Sequence, residues 1–161
     1  MTTAKPDRML ILMNEEALSL ASVTVGLPER AKVFVAGRSL VQMTLAELAL
    51  PGAEMIWTDF RQSASLSALH GTVQAAGGLD RLVLVGDGRK SEAMFSLMCA
   101  VLTFLPALRR RKGARIELLV GAGAAVQSLV TFLKRIEPRL AAQGILVSVS
   151  VREERSVGAK A

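Results

Sequence analysis

The side chains that could do chemistry in this sequence are few and stand far apart. His70 is the only histidine and Cys99 the only cysteine. Without a second histidine or a neighbouring cysteine, His70 is interpreted as a core or boundary residue and not as a metal ligand. No basic residue stands in the apolar run around Cys99 to favour its thiolate, so an inert thiol is the simpler interpretation. Three carboxylates, at Glu15, Asp59 and Asp87, have no partner base or metal cluster, so an enzyme built on them is the least favoured hypothesis.

One glycine-rich segment, Gly121-Ala122-Gly123-Ala124-Ala125-Val126, lies between a predicted strand and a predicted helix. A phosphate-binding loop occurs in the same context. Its third small residue is replaced by Val126, however, and close packing of a helix on a sheet explains the small residues more simply. The segment Gly86-Asp87-Gly88 is interpreted as a turn.

The composition is that of a globular chain with 161 residues, of which 51% are hydrophobic and 21% charged. We expect one domain over 8–151, with a flexible tail at 1–7 and a polar tail at 152–161. A single cysteine excludes an intrachain disulfide and fits a reducing, cytoplasmic location. No apolar segment follows Met1, so no signal peptide is expected.

Nucleic-acid and membrane partners are both disfavoured. The net charge is +6, but tyrosine is absent and aromatic residues make up only 4% of the chain. The basic cluster at 109–112 follows an apolar helix, where cations complement the carbonyl end. The uncharged stretches at 93–108 and 118–133 are shorter than the about 20 residues of a membrane span, so we interpret them as core helices.

Strands and helices alternate along the whole chain. This order predicts an α/β fold with three layers, a Rossmann-like doubly wound sheet of about six parallel strands with helices on both faces. Short apolar runs predict the strands, and apolar residues at helical spacing predict the helices. The predicted strands are 8–13, 32–36, 54–57, 81–85, 115–120 and 145–151, and the predicted helices are 15–25, 40–50, 63–76, 91–110 and 122–142.

Four segments, in a shared order and spacing, resemble the short-chain dehydrogenase/reductase family. The run GGLDRLVLV at 77–85 is similar to the opening of that family's fourth strand. The run FLPALRRR at 104–111, followed by GARI at 113–116, resembles its passage from the fourth helix into the fifth strand. The run EPRLAAQGILV at 137–147 resembles the passage into its sixth strand, and VAGR at 35–38 the end of its second. The resemblance covers most of 9–151.

The cofactor turn that the resemblance implies is missing. At the family's usual spacing its three glycines fall on Met13, Ala17 and Ser19, and no glycine occurs between positions 9 and 25. Glu15 and Glu16 stand where the diphosphate of the cofactor would lie and would repel it, although acids in a first helical turn are also structurally ordinary.

The catalytic residues that the resemblance implies are missing as well. The family's Tyr-x-x-x-Lys falls on Ala122 and Val126, and the chain contains no tyrosine. The family's serine falls near Val120 or Gly121, and its helix-four asparagine near Ala93. The tyrosine serves the family as general acid and base, a role that alanine cannot fill. We also expect no substrate lid after the sixth strand.

Two residues stand where the family contacts a nucleotide. Arg38 matches the arginine that NADP-dependent members place against the 2′-phosphate, and Asp59 matches an aspartate near the adenine. The alternative is that Arg38 is a solvated loop residue and Asp59 caps the next turn. No cofactor is expected; if one binds, these two residues favour NADP.

The resemblance finally implies an interface between subunits. In the family, the helices that match 91–110 and 122–142 build a four-helix contact, so we expect a homodimer or pairing with an active relative. The first hypothesis is thus a non-catalytic structural or regulatory subunit, and the second is a nucleotide-binding module. The interface candidates are Phe95, Met98, Val101, Leu102, Leu105, Leu129, Phe132 and Leu133.

Overall fold

A computed structural model describes residues 7–14 and 31–152. The predicted helix at 15–25, with Glu15 and Glu16, lies outside the described residues, as does most of both predicted tails. The described elements, in chain order, are β1 (Arg8–Met13), β2 (Lys32–Gly37), α1 (Leu40–Ala49), β3 (Glu54–Trp57), α2 (Ser63–Ala75), β4 (Arg81–Asp87), α3 (Ser91–Arg109), β5 (Arg115–Gly121), α4 (Val126–Ala142) and β6 (Leu146–Arg152).

The described strands form one sheet in the order β3-β2-β1-β4-β5-β6, and every neighbouring pair is parallel. The first described strand, β1, therefore lies in the middle of the sheet. The order then runs outward through β2 to β3, returns to β4 beside β1, and runs outward again through β5 to β6. The point between β1 and β4, where the direction of winding reverses, is where open α/β sheets bind ligands. The predicted Rossmann-like α/β fold is confirmed.

Apolar side chains cover both faces of the central strands, as the uninterrupted runs in β1 and β4 predict. On the first face, Met9, Ile11 and Met13 of β1 pack with Val83 and Val85 of β4, and α1 covers the neighbouring strand β2. On the second face, alternate residues of the same strands pack against α2, α3 and α4. The core thus has the three layers of a doubly wound domain.

The helix α3 is long and apolar enough, by length and composition, to cross a membrane. It lies instead on the second face of the sheet, where more than half of its residues are buried. Met94, Leu97 and Phe104 are almost completely buried there. In this structure α3 is the central core helix, which explains why its apolar residues occupy more than one side.

Two element boundaries differ from their predictions where residues distant in sequence come into contact. The helix α4 begins at Val126 and not at Ala122, and β4 continues to Asp87. Residues 122–125 remain a turn because Gly123 packs directly against the backbone of Gly88 after β4. Local helix propensity is therefore overridden by a contact between two strand ends.

The basic cluster at 109–112, at the end of α3, makes specific contacts with neighbouring segments. The Nε of Arg109 donates to the side-chain oxygen of Gln143 at 2.6 Å. Arg111 hydrogen-bonds the carbonyl of Gly77 and lies 3.8 Å from the carboxylate of Asp80. These contacts tie the end of α3 to the amino ends of β4 and β6, so the cluster has a structural role.

Candidate functional site

The carboxyl ends of β1 to β4 surround a small cavity of about 90 Å³. Asn14 follows β1, Arg38 follows β2 and Asp59 follows β3, so three strand ends each contribute a polar residue. Lys90 and Ser96 come from the start of α3. The structure thus brings Arg38 and Asp59 together in the crevice at which the direction of winding reverses.

Asp59 is held by two arginines. An oxygen of its carboxylate accepts the backbone N–H of Arg61 at 3.0 Å and the Nε of the same residue at 3.3 Å. The guanidinium of Arg38 lies 3.8 Å from that oxygen. Asp59 therefore caps the turn after β3, as its structural interpretation predicts, and it also neutralises part of the charge of Arg38.

Hydrogen bonds from the Arg61 side chain and backbone, with the charges of Arg61 and Arg38, lower the pKa of Asp59 below its ordinary value. Partial desolvation opposes this shift but does not reverse it. An ionised carboxylate accepts hydrogen bonds and donates none. Asp59 can therefore hold arginines or a hydroxyl of a ligand, but it is poorly suited to act as a general acid.

Two cations of this cavity were missed by the sequence analysis. Arg61 and Lys90 line it together with Arg38, which gives three cationic side chains against the carboxylates of Asp59 and Glu92. The available signal was the position of Arg61 two residues beyond Asp59 and of Lys90 directly before a helix. Helix N-termini and clustered cations favour anions.

Asp87 has a structural partner and does not line the cavity. Its carboxylate is 5% exposed and accepts the backbone N–H of Arg89 at 3.0 Å and the guanidinium of Arg89 at 2.9 Å. The turn that was predicted around Asp87 is present. The carboxylate holds this turn in place, so it is a poor candidate for catalysis.

The glycine-rich segment after β5 is packed against the turn after β4. The N–H of Gly88 donates to the carbonyl of Gly121 at 3.1 Å, and the N–H of Ala125 donates to the carbonyl of Gly88 at 2.9 Å. A Cβ on Gly88 would lie 2.0 Å from the carbonyl oxygen of Gly121, and one on Gly123 would lie 2.4 Å from the backbone of Gly88. The small residues therefore allow close packing, which the sequence analysis favoured over a phosphate-binding loop.

The positions that the family resemblance gives to the catalytic pair lie in this packed region. Ala122 is half-buried in the turn, and Val126 is buried at the first residue of α4. A Cβ on Gly88 would lie 2.2 Å from a methyl carbon of Val126, so no space separates the two turns. The turn after β4 therefore packs directly against the segment that holds Ala122 and Val126.

His70 and Cys99 lie away from the cavity. The ring of His70 stands 5.7 Å from that of Phe104, and its Nε2 is buried without a hydrogen-bond partner among the described residues. Cys99 is half-buried on α3. Within residues 7–14 and 31–152, no group of three or more histidine, cysteine, aspartate or glutamate side chains could hold a metal ion.

The interface candidates divide into two sets. Phe95 and Leu102 are 64% and 53% exposed on the outer face of α3, and Met98 is half-buried between them. Phe132 is half-buried on α4. The side chains of the other four are buried in the core of this chain: Val101, Leu105, Leu129 and Leu133.

The outer face of α4 is more polar than predicted. Gln127, Ser128, Thr131 and Arg135 surround Phe132 in a shallow depression. The exposed apolar surface that the sequence analysis assigned to both helices therefore belongs mainly to α3.

Comparison with known proteins supports the fold and goes no further. No protein-family model matches the chain, and no curated protein matches it. BdcA from E. coli is 20% identical with a TM-score of 0.66, over 91% of this chain and 82% of BdcA. A short-chain oxidoreductase from Pseudomonas aeruginosa PAO1, described as containing an atypical catalytic center, is 20% identical with a TM-score of 0.69, over 89% of this chain and 68% of its own.

A third structure, Cj0485 dehydrogenase, is 15% identical with a TM-score of 0.70, over 92% of this chain and 69% of its own. Two of the solved structures that resemble this chain are described as a short-chain oxidoreductase and as a short-chain dehydrogenase/reductase family protein. The protein therefore has the Rossmann-like fold of that class, with low sequence identity to the structures compared.

Proposed function

We propose that this protein is a degenerate relative of the short-chain dehydrogenases that performs no hydride transfer and acts as a structural or regulatory subunit. One observation carries the proposal: Ala122 and Val126 stand where the resemblance places the catalytic tyrosine and lysine. Ala122 lies in the turn before α4 and Val126 is the first residue of α4, and both segments pack closely against Gly88. Neither alanine nor valine can exchange a proton with a substrate, and the chain has no tyrosine to replace them.

The outer face of α3 supplies the contact through which such a subunit acts. Phe95, Met98 and Leu102 recur at helical spacing on the side that faces away from the sheet. Burial of a large apolar side chain contributes roughly 1.5–3 kcal/mol, so three of them make a surface that favours association. A second copy of the chain is the proposed partner, and an active relative with the same helix is the alternative.

The test is the solution mass from light scattering after size-exclusion chromatography at micromolar concentration. Leu102→Lys places a charge on the proposed contact and is expected to lower the mass. Leu48→Lys is the matched control, because Leu48 is 75% exposed on α1, which packs on the opposite face of the sheet from α3. A wild-type protein that is strictly monomeric, or a Leu102→Lys protein with unchanged mass, contradicts self-association through α3.

The cavity favours a second candidate function, the binding of a nucleotide of the NADP type. Arg38, Arg61 and Lys90 supply cations at the crevice. BdcA, which shares the fold, has been crystallised in complex with NADPH. A rise in the melting temperature with NADP but not with NAD, lost in Arg38→Ala, would support this function. No shift with either nucleotide removes it and leaves the structural subunit.

A further inference from the structure

The two edges of the described sheet differ in length and chemistry. The strand β3 is four residues long and carries Glu54, whereas β6 is seven residues long and has β5 as its one neighbour within the described residues. Short or charged strands protect a sheet edge from pairing with other chains. The edge at β6 has neither protection along 146–151, where Leu146, Val149 and Val151 are 58%, 38% and 48% exposed.

The direction of the backbone in β6 follows from one hydrogen bond. The N–H of Leu146 donates to the carbonyl of Ala114 at 3.0 Å, so Leu146 points its backbone toward β5. Alternate residues of a parallel strand bond the same neighbour. Val147, Val149 and Val151 therefore direct their N–H and C=O groups away from β5, toward the side on which β6 has no neighbouring strand among the described residues.

The sequence of this strand reads the same in both directions about Val149. Positions 147–151 are Val-Ser-Val-Ser-Val. In an antiparallel pair related by a two-fold axis at Val149, that residue meets its own copy, Val147 meets Val151, and Ser148 meets Ser150. Valine thus stands opposite valine and serine opposite serine, as an isologous contact requires.

The backbone pattern agrees with the same axis. The three valines that point their polar backbone groups outward are the residues that would form the hydrogen-bonded pairs, each exchanging two N–H···O=C bonds. From the register with β5, the valines share a face with the buried Ile116, Leu118 and Val120. Their exposed area is therefore on the side where apolar contacts already exist.

We propose that β6 pairs antiparallel with β6 of a second copy, with the two-fold axis at Val149, and joins two sheets into one. The interaction surface consists of the outward backbone groups of β6 and its three valines. It is separate from the outer face of α3 and does not depend on the proposed function.

Cross-linking at the axis tests this pairing. In a background with Cys99→Ser, Val149→Cys places two thiols opposite each other, with Cα atoms about 5.5 Å apart, which suits a disulfide. Val147→Cys is the control, because it lies four positions from its own copy, roughly 14 Å along the strand. We expect a covalent dimer from Val149→Cys and none from Val147→Cys under mild oxidation. No cross-link at position 149, or equal cross-linking at both positions, overturns the proposal.

A second variant guards against local misfolding. Val149→Lys keeps every backbone bond to β5 but opposes two ammonium groups across the axis, so it is expected to reduce self-association while the circular dichroism stays unchanged. Leu102→Lys on α3 is expected to leave the cross-link at position 149 intact. Loss of that cross-link in Leu102→Lys would show that β6 does not pair independently, and the proposal would fail while association through α3 would stand.

Discussion

Gly88 lies where the end of β4 packs tightly against the end of β5. A Cβ at this position would lie 2.0 Å from a backbone carbonyl oxygen, which no rotamer change can relieve. We expect Gly88→Ala to lower the free energy of unfolding by about 3 kcal/mol or more, at the upper end of the effect of overpacking.

A matched control for this substitution exists in α2. Gly71 lies on the exposed side of that helix, and a Cβ there would meet no atom within 4 Å. Gly71→Ala is expected to stabilise the protein by about 0.5–1 kcal/mol, because alanine has the higher helix propensity. Urea denaturation measures both, and a loss of stability in both variants would contradict the packing explanation.

The ionisation of Asp59 makes the stability of the folded protein depend on pH. Because Arg61 and Arg38 lower the pKa of Asp59 in the folded protein, its ionised form stabilises the fold above the ordinary aspartate pKa. This contribution disappears as the pH falls through the lowered pKa. We expect Asp59→Asn to be less stable than the wild type at neutral pH and equal to it in strong acid, measured by urea denaturation. A stability difference that does not change with pH would exclude this cause.

Arg81 of β4 and Glu117 of β5 form an ion pair that connects these two neighbouring strands. The Nη2 of Arg81 lies 2.8 and 3.0 Å from the two carboxylate oxygens of Glu117, and both side chains are mostly buried. Removal of one partner leaves the other charge partly desolvated, so Glu117→Leu is expected to cost about 1–3 kcal/mol. The double variant with Arg81→Leu is expected to recover part of this loss. A double-mutant cycle with no coupling energy would contradict the prediction.

The elements themselves were largely predictable from the sequence. Periodicity located every described strand and helix, because the parallel core requires continuous apolar strands and helices between them. The start of α4 was not predictable, since the packing of Gly123 on Gly88 joins residues far apart in the chain. The outer face of α3 was predicted only in part, because a helix that is apolar on several sides does not reveal which side meets the sheet.

The candidate site was less predictable than the fold. Arg38 and Asp59 were identified through the family resemblance, and the structure places them 3.8 Å apart. Arg61 and Lys90 were not identified, because their position beside Arg38 depends on how three strand ends converge. Lone charged residues in loops carry no periodic signal that sequence analysis can read.

If both proposed contact surfaces, the outer face of α3 and the strand β6, are isologous, they determine how the whole molecule assembles. Association through the outer face of α3 and through β6 together would give a closed tetramer if the two axes intersect at right angles, and an open chain otherwise. We expect Leu102→Lys and Val149→Lys each to reduce the assembly to a dimer, and their combination to a monomer, in light scattering. A monomer from either single variant would show that only one surface operates.

The strand order also determines when the chain can fold during its own synthesis. The first strand lies between β2 and β4, and the amide of Arg8 bonds the carboxylate of Asp80, 72 residues later. Until β4 has left the ribosome, the most apolar edge of the nascent sheet has no neighbour. We expect a fragment of residues 1–79 to show no cooperative unfolding transition by circular dichroism, whereas the full chain shows one. A stably folded fragment would contradict this. A nascent chain that does not yet include β4 therefore exposes this apolar edge, and chaperone binding is expected to matter most at that stage of synthesis.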